Sequence, residues 1–282
     1  MSDFKQWLLL FGGELLMNLV IYADDSGTHD LDGVLPQSQV TTIGGYVGKS
    51  DSWLKLSREW KKALRDHSAP YFHFTELQYA ENCRGAIPPH KRNPYTGWTP
   101  EQCQAFRLAC AKIAASGNRI PVCGDWNTKA VAEDLPKEYK SNSRASVVWL
   151  FYDAARDTIK VKWPKLQGPI TVCFDHTQNP DWRNAIFDVH GWFKNKYGRF
   201  GIIGFGDKNI DINCHGLQAA DLIAGRLRQL TRIIQDYDPM PGDSLSELDS
   251  ILFSKFGPKN LQELLARRSG FQQLPNLPPI SK

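Results

Sequence analysis

The chain has no CxxC pair, no run of about 18 apolar residues and no large excess of charge of either sign, and each absence closes a class. Without CxxC spacing, the six cysteines give little sign of a metal or disulfide framework. Cys103, Cys110, Cys123 and Cys173 sit inside apolar runs and read as free buried thiols, with Cys83 and Cys214 completing the set. The longest apolar stretch, Leu8 to Val20, is broken by Gly12, Gly13 and Glu14, and it lacks the basic start and small-residue cleavage site of a secretory signal. A soluble, cytoplasmic protein is the expectation. Thirty-four basic against thirty acidic residues leave +4, which permits contact with phosphates but is far from the balance of a dedicated nucleic-acid binder. Disorder as the main state is excluded, because 41% hydrophobic residues with 11% aromatics supply a core for a chain of 282 residues.

What is present is an alternation of strand and helix signals. Asn18 to Asp24 is a clean strand, and Val40 to Val47 reads as its antiparallel partner across a Gly/Pro-rich turn region. A helix from Asp51 or Ser52 to about Asp66 carries Trp53, Leu54, Leu56, Trp60 and Leu64 at near-helical spacing. Tyr71 to Leu77 reads as a short extended segment leading into a long loop, Ala80 to Trp98. Thr99 and Pro100 open a helix to about Ser116, with the threonine as cap and the proline at the first position. Ile120 to Gly124 is a weak strand. Ser143 to Lys160 is a helix facing the core with Val147, Val148, Leu150, Phe151, Ala154 and Ala155. Pro169 to Asp175 has the continuous apolar character of a strand covered on both faces. A helix at 180–196, a strand at 201–206 and a helix at 216–234 follow, then short helices around 246–256 and 261–267 and a Pro-rich tail. An opening antiparallel pair followed by alternating helices and strands predicts an α/β fold, a mixed sheet with helices on both faces. The expected division is an appendage at 1–16, a main domain at 17–235 and a helical, Pro-rich extension at 236–282.

Two strands end in acids, Leu-Val-Ile-Tyr-Ala-Asp24-Asp25-Ser26-Gly27 and Ile-Thr-Val-Cys-Phe-Asp175-His176. A carboxylate at the end of an apolar strand is costly unless a cation or backbone donors meet it. A third acid, Asp221, lies inside Gly216-Leu-Gln-Ala-Ala-Asp-Leu-Ile-Ala-Gly225, a segment of small residues suited to a helix lying close on a sheet. Gln218 and Asp221, three apart, share one helix face. Glu76 is a fourth candidate. In open α/β sheets, ligands collect at the carboxyl ends of the strands. Carboxylates from separate elements gathered there suit Mg²⁺ or Mn²⁺, which prefer oxygen ligands, and such ions promote phosphodiester cleavage.

These segments, Ile21-Tyr-Ala-Asp24-Asp25-Ser26-Gly27, Phe72-His-Phe-Thr-Glu76-Leu77, Val172-Cys-Phe-Asp175 and above all Gly216 to Gly225, resemble the bacterial and phage family called domain of unknown function 3800. That family is similar to the ribonuclease H superfamily in element order and in its acids. The resemblance spans about Leu19 to Leu230 and implies a ribonuclease H-like fold with helical insertions and a C-terminal extension. It implies metal-dependent chemistry and not a target; the leading expectation is a phosphodiesterase or nuclease whose partner is nucleic acid, DNA or RNA. By this likeness Asp24 is the first-strand metal ligand, Glu76 the second acid, Asp175 the ligand on the neighbouring strand and Asp221 the closing ligand on the last core helix. Asp25, Ser26, His176 and Gln218 are accessory candidates. The chain departs from the family's usual Asp-Glu-Ser-Gly by its shorter Asp25, which leaves that residue's role open.

Other readings compete. A non-catalytic binding or regulatory module keeps the same motifs without turnover. Asp24-Asp25-Ser26-Gly27-Thr28 resembles the nucleophile loop of haloacid-dehalogenase-like phosphatases, but serine at 26 removes the second carboxylate that chemistry needs. In the 80–98 loop, Arg84, Lys91 and Arg92 suit contact with a nucleic-acid backbone, and Tyr95 and Trp98 suit stacking on a base. Arg226, Arg228 and Arg232 read as a solvated helix face.

Overall fold

Side chains alternate across the first strand, β1 (Leu19–Ser26), and this period of two divides the molecule. Leu19, Ile21 and Ala23 belong to one buried cluster, and Val20 and Tyr22 to another on the opposite side. The computed structural model describes residues 19–26, 41–88, 92–125, 136–140, 142–177, 179–207, 214–234 and 247–252. The 1–16 appendage, His29, Lys91 and the helix expected around 261–267 lie outside the described residues.

β2 (Thr42–Lys49) runs antiparallel to β1, from Leu19 opposite Lys49 to Ser26 opposite Thr42. β3 (Ile120–Asp125) is antiparallel to the other edge of β2, so the first three strands form a meander. β4 (Ile170–Asp175) adds parallel to β1, from Leu19 beside Ile170 to Ala23 beside Phe174. β5 (Phe200–Gly206) then adds parallel to β4. The strand order is β3-β2-β1-β4-β5, a mixed open sheet flanked by helices, as the alternation of signals predicts.

On one face lie α5 (Ser143–Lys162) and α6 (Pro180–Tyr197). Their rings interlock with those of the sheet: Tyr152 stands 5.2 Å from both Phe193 and Phe200, and Phe174 packs between Phe151 and Tyr152. Gly124 lets α5 approach, because a Cβ there would come 2.5 Å from the amide nitrogen of Phe151. Leu150 and Ala154 are only half-buried, whereas Val147, Val148, Phe151 and Ala155 carry the contact.

The other face is covered by α1 (Ser50–Asp66), α2 (Phe74–Asn82), α3 (Pro100–Ala115), α7 (His215–Ile234) and α8 (Glu247–Leu252); the short α4 (Lys137–Lys140) precedes α5. α1 buries Trp53, Leu56, Trp60 and Leu64, but Leu54 is 58% exposed, since its position turns away from the stripe the other four define. Trp53 Nε1 donates to the carbonyls of Val20 and Gly48 and so pins α1 to the sheet. α3 begins with a full capping box between Thr99 and Gln102 and Pro100 in the first turn, as the sequence predicts. Its C-terminal carbonyls are met by Arg119, fully buried, which donates to Ile113 O and Ala114 O and across to Ser52 O in α1. A cation at a helix C-terminus suits the helix dipole. All six cysteines are free thiols, Cys83 half-buried and the rest buried.

Two expectations change. The segment 71–77 is extended only to His73, and α2 begins at Phe74. His73 makes no side-chain cap there; the Phe74 N–H is instead received at 2.6 Å by Asp221 Oδ2, 147 residues away. A helix start capped by a distant residue leaves no local signal. Second, α2 takes up the first residues of the supposed 80–98 loop, and beyond it the Gly97 N–H donates to Gly85 O at 3.1 Å, both glycines at positive φ. No described helix is long and apolar enough to cross a membrane.

Candidate functional site

Because Asp24 follows Val20 and Tyr22 at even spacing, it lies on the α7 side of β1, and Asp25 falls on the α5 and α6 side. The same argument on β4 puts Asp175 with Cys173 on the α7 side. Ala23 pairs with Phe174, so Asp24 and Asp175 come one residue later, side by side at the carboxyl ends of two parallel strands. Asp24 is 3% exposed, and its Oδ1 accepts the Asp25 N–H at 2.8 Å. Asp175 is half-buried beside Gly206 of β5.

Small residues bring α7 onto this edge. Gly44 is directly opposite Asp24 in the β1–β2 ladder, and a Cβ on Gly44 would stand 2.6 Å from the Ala224 amide nitrogen. At the other end, a Cβ on Gly216 would meet the Tyr22 ring at 2.5 Å. Thr42 Oγ1 donates to Ala224 O at 3.2 Å. Asp221, 6% exposed, is one turn before Ala224 and so lies over the same end of β1. The close approach that the glycine and alanine content of 216–225 predicts is therefore what the helix makes.

α7 also binds the segment that carries the fourth acid. Gln218, fully buried, receives Trp60 Nε1 at 2.8 Å and the Phe72 N–H at 3.0 Å on its Oε1, and Asp221 receives the Phe74 N–H. Glu76, in the first turn of α2, accepts the Tyr71 hydroxyl at 2.9 Å and lies 3.3 Å from His73 Nδ1, with its side chain 30% exposed. The Tyr95 hydroxyl, whose pKa is pushed up first by burial, also feels the negative charges of Glu76 and Asp221. Tyr71 is likewise held protonated, by burial and by its bond to Glu76.

The four acids thus come from β1, α2, β4 and α7 and face one side of the sheet. Among the described residues, no three His, Cys, Asp or Glu side chains are gathered into a group that could hold a metal ion. The strand-end pair fits a looser demand, because Mg²⁺ commonly takes one or two carboxylates and fills its remaining positions with water and substrate phosphate. Ser26 ends β1 opposite Thr42. His176 is exposed, and its N–H continues the sheet to Gly206 O.

The basic and aromatic candidates are redistributed. Tyr95 is fully buried, donates to Tyr71 O and receives the His73 N–H, and Trp98 packs edge-on to Tyr95 and Phe106. The Tyr95 ring is therefore core, held by hydrogen bonds that sequence reasoning could not see. Arg84 and Arg92 are exposed. Arg226 is not on a solvated face: it is 2% exposed and grips Asp249 of α8 with two bonds of 2.6 and 2.7 Å, because α8 covers that side of α7. The Arg232 side chain lies outside the described residues.

Comparison with family models finds no match, and none is found among curated proteins.

Proposed function

We propose that this chain is a divalent-metal-dependent phosphodiesterase, a nuclease on a ribonuclease H-like fold. One observation carries the reading: Asp24 and Asp175 stand in register near the carboxyl ends of adjacent parallel strands and on the same face, against which α7 packs at Gly44 and Ala224. The strand order supports the fold, since an opening antiparallel meander followed by two strands added parallel to β1 agrees with the element order on which the resemblance rests. Bound Mg²⁺ or Mn²⁺ would supply an activated water and a counter-charge for the leaving oxygen. Asp24 and Asp175 would hold the ion. Asp221 keeps α2 seated through the Phe74 N–H, and Glu76, in the first turn of that helix, is steadied by the Tyr71 hydroxyl.

A second reading, a non-catalytic module, is favoured by the structural work that Asp221 and Gln218 do in fastening residues 72–74. Calorimetric titration of Mn²⁺ separates the two. A nuclease binds the ion, loses that binding in Asp175→Asn and Asp24→Asn, and loses cleavage of nucleic acid by roughly 10²-fold or more, the order seen when a group stabilising transition-state charge is removed. Full cleavage by both variants would sink the proposal.

A further inference from the structure

Beside the acid face is a pocket of about 470 Å³, lined among others by Tyr71, Ile87, Pro88, Arg92, Asn93 and Pro94. Its size is that of a small-molecule site, typically about 300–1,000 Å³. Its framework is fixed from within. Tyr95 bonds the Tyr71 carbonyl at 2.8 Å, and Asn93 spends both ends of its amide on the protein, donating to Glu76 O at 2.9 Å and accepting the Tyr95 N–H at 2.8 Å. Apolar surface, the exposed Thr96, whose hydroxyl donates to Asn93 O, and the exposed Arg92 guanidinium remain to face a ligand. Arg92 has no hydrogen bond or ion pair among the described residues. The pocket also connects to the site, because Tyr71, which lines it, donates its hydroxyl to Glu76.

We propose that this pocket takes one unpaired nucleotide of a nucleic-acid strand, its base against Tyr71 and the two prolines and its phosphate on Arg92. The inference rests on the nuclease reading and narrows it to single-stranded or locally unstacked substrate. A base inside a duplex has both faces covered by its neighbours, whereas a splayed base offers a π-face to an aromatic platform. The ring set differs from the one sequence reasoning selects: Tyr95 is buried beneath the pocket and Tyr71 lines it.

The test is fluorescence anisotropy of end-labelled ten-residue oligo(dT) and oligo(U), and of a blunt duplex, titrated with the full chain in EDTA so that binding is read without cleavage. Arg92→Ala should weaken single-strand binding about tenfold and flatten the dependence of log K on log salt by about 0.7, the loss of one phosphate contact. Tyr71→Leu should weaken it by about tenfold or more. Lys160→Ala, on the far face, should change nothing, and the duplex should bind less tightly than either single strand. Arg92 is exposed, so its variant keeps the measurement decisive even if Tyr71→Leu loosens the loop. Equal binding by wild type and both pocket variants, preference for the duplex, or no binding by the wild type overturns the pocket. Cleavage that requires Asp24 but neither Arg92 nor Tyr71 removes the pocket alone. Arg92-dependent binding with no cleavage under Mg²⁺ or Mn²⁺ supports the pocket and removes the nuclease.

Discussion

Both faces of the sheet bury aromatic rings, but they differ in the charge they bury with them. Under α5 and α6 the interior is a lattice of rings, Phe151, Tyr152, Phe174, Phe193 and Phe200, and the buried His190 is spoken for at 2.9 Å by the Tyr152 hydroxyl. Under α7 the interior holds Asp24, Gln218, Asp221, Arg226, Asp249 and Arg119, all buried. Buried polar groups cost stability unless they are bonded, and on this face helix starts, helix ends and loop carbonyls supply the bonds. The ring face gives stability without chemistry, and the polar face accepts that cost to hold charge near the strand ends.

The sharpest way to break this contrast is to remove a ring from the first face. Phe193→Ala should cost about 3–5 kcal/mol in chemical denaturation. Residual metal binding in the folded fraction should be unchanged, whereas Asp24→Asn should leave the unfolding midpoint near wild type and remove the metal. On the polar face, Arg226→Met should cost a comparable 3–5 kcal/mol, because it strands the Asp249 carboxylate in the interior. The double variant Arg226→Met with Asp249→Leu should recover most of that loss; failure to recover would mean that the pair does more than neutralise itself. A smaller effect is expected at the start of α3, where Thr99→Ala removes the capping hydroxyl and should cost about 1 kcal/mol.

The smallest expected effect is a pH dependence on the ring face. Burial, helped by the Lys194 charge, pulls the His190 pKa below its ordinary 6.5. The unfolded chain therefore binds the proton more readily than the native one. The contribution to stability is complete above pH 6.5 and is lost as pH falls from there through the depressed native value. Thermal melts should drop on that acid side, and His190→Gln should flatten the drop.

Strand and helix periods, the Thr99-Pro100 start, the apolar run of β4 and the small-residue stretch 216–225 were all legible, since each is a local pattern with a local cause. The candidate acids were legible as residue types in unusual places. Their mutual arrangement was not. Period two on β1 assigns Asp24 and Asp25 to particular sides of the sheet only once it is known which face α7 covers. Tyr95 was misread because a tyrosine in a loop looks exposed until its hydroxyl is seen bonded to Tyr71 and His73.

The sequence by itself determined most of the elements, α2 excepted, the α/β class and which side chains carry charge, because helix and strand preferences act over a few residues. Tertiary structure alone decided that β4 lies beside β1, that Asp221 caps α2 across 147 residues, and that Arg226 is sealed against Asp249. Those contacts depend on surfaces that exist only after the elements pack, and no short window of sequence contains both partners.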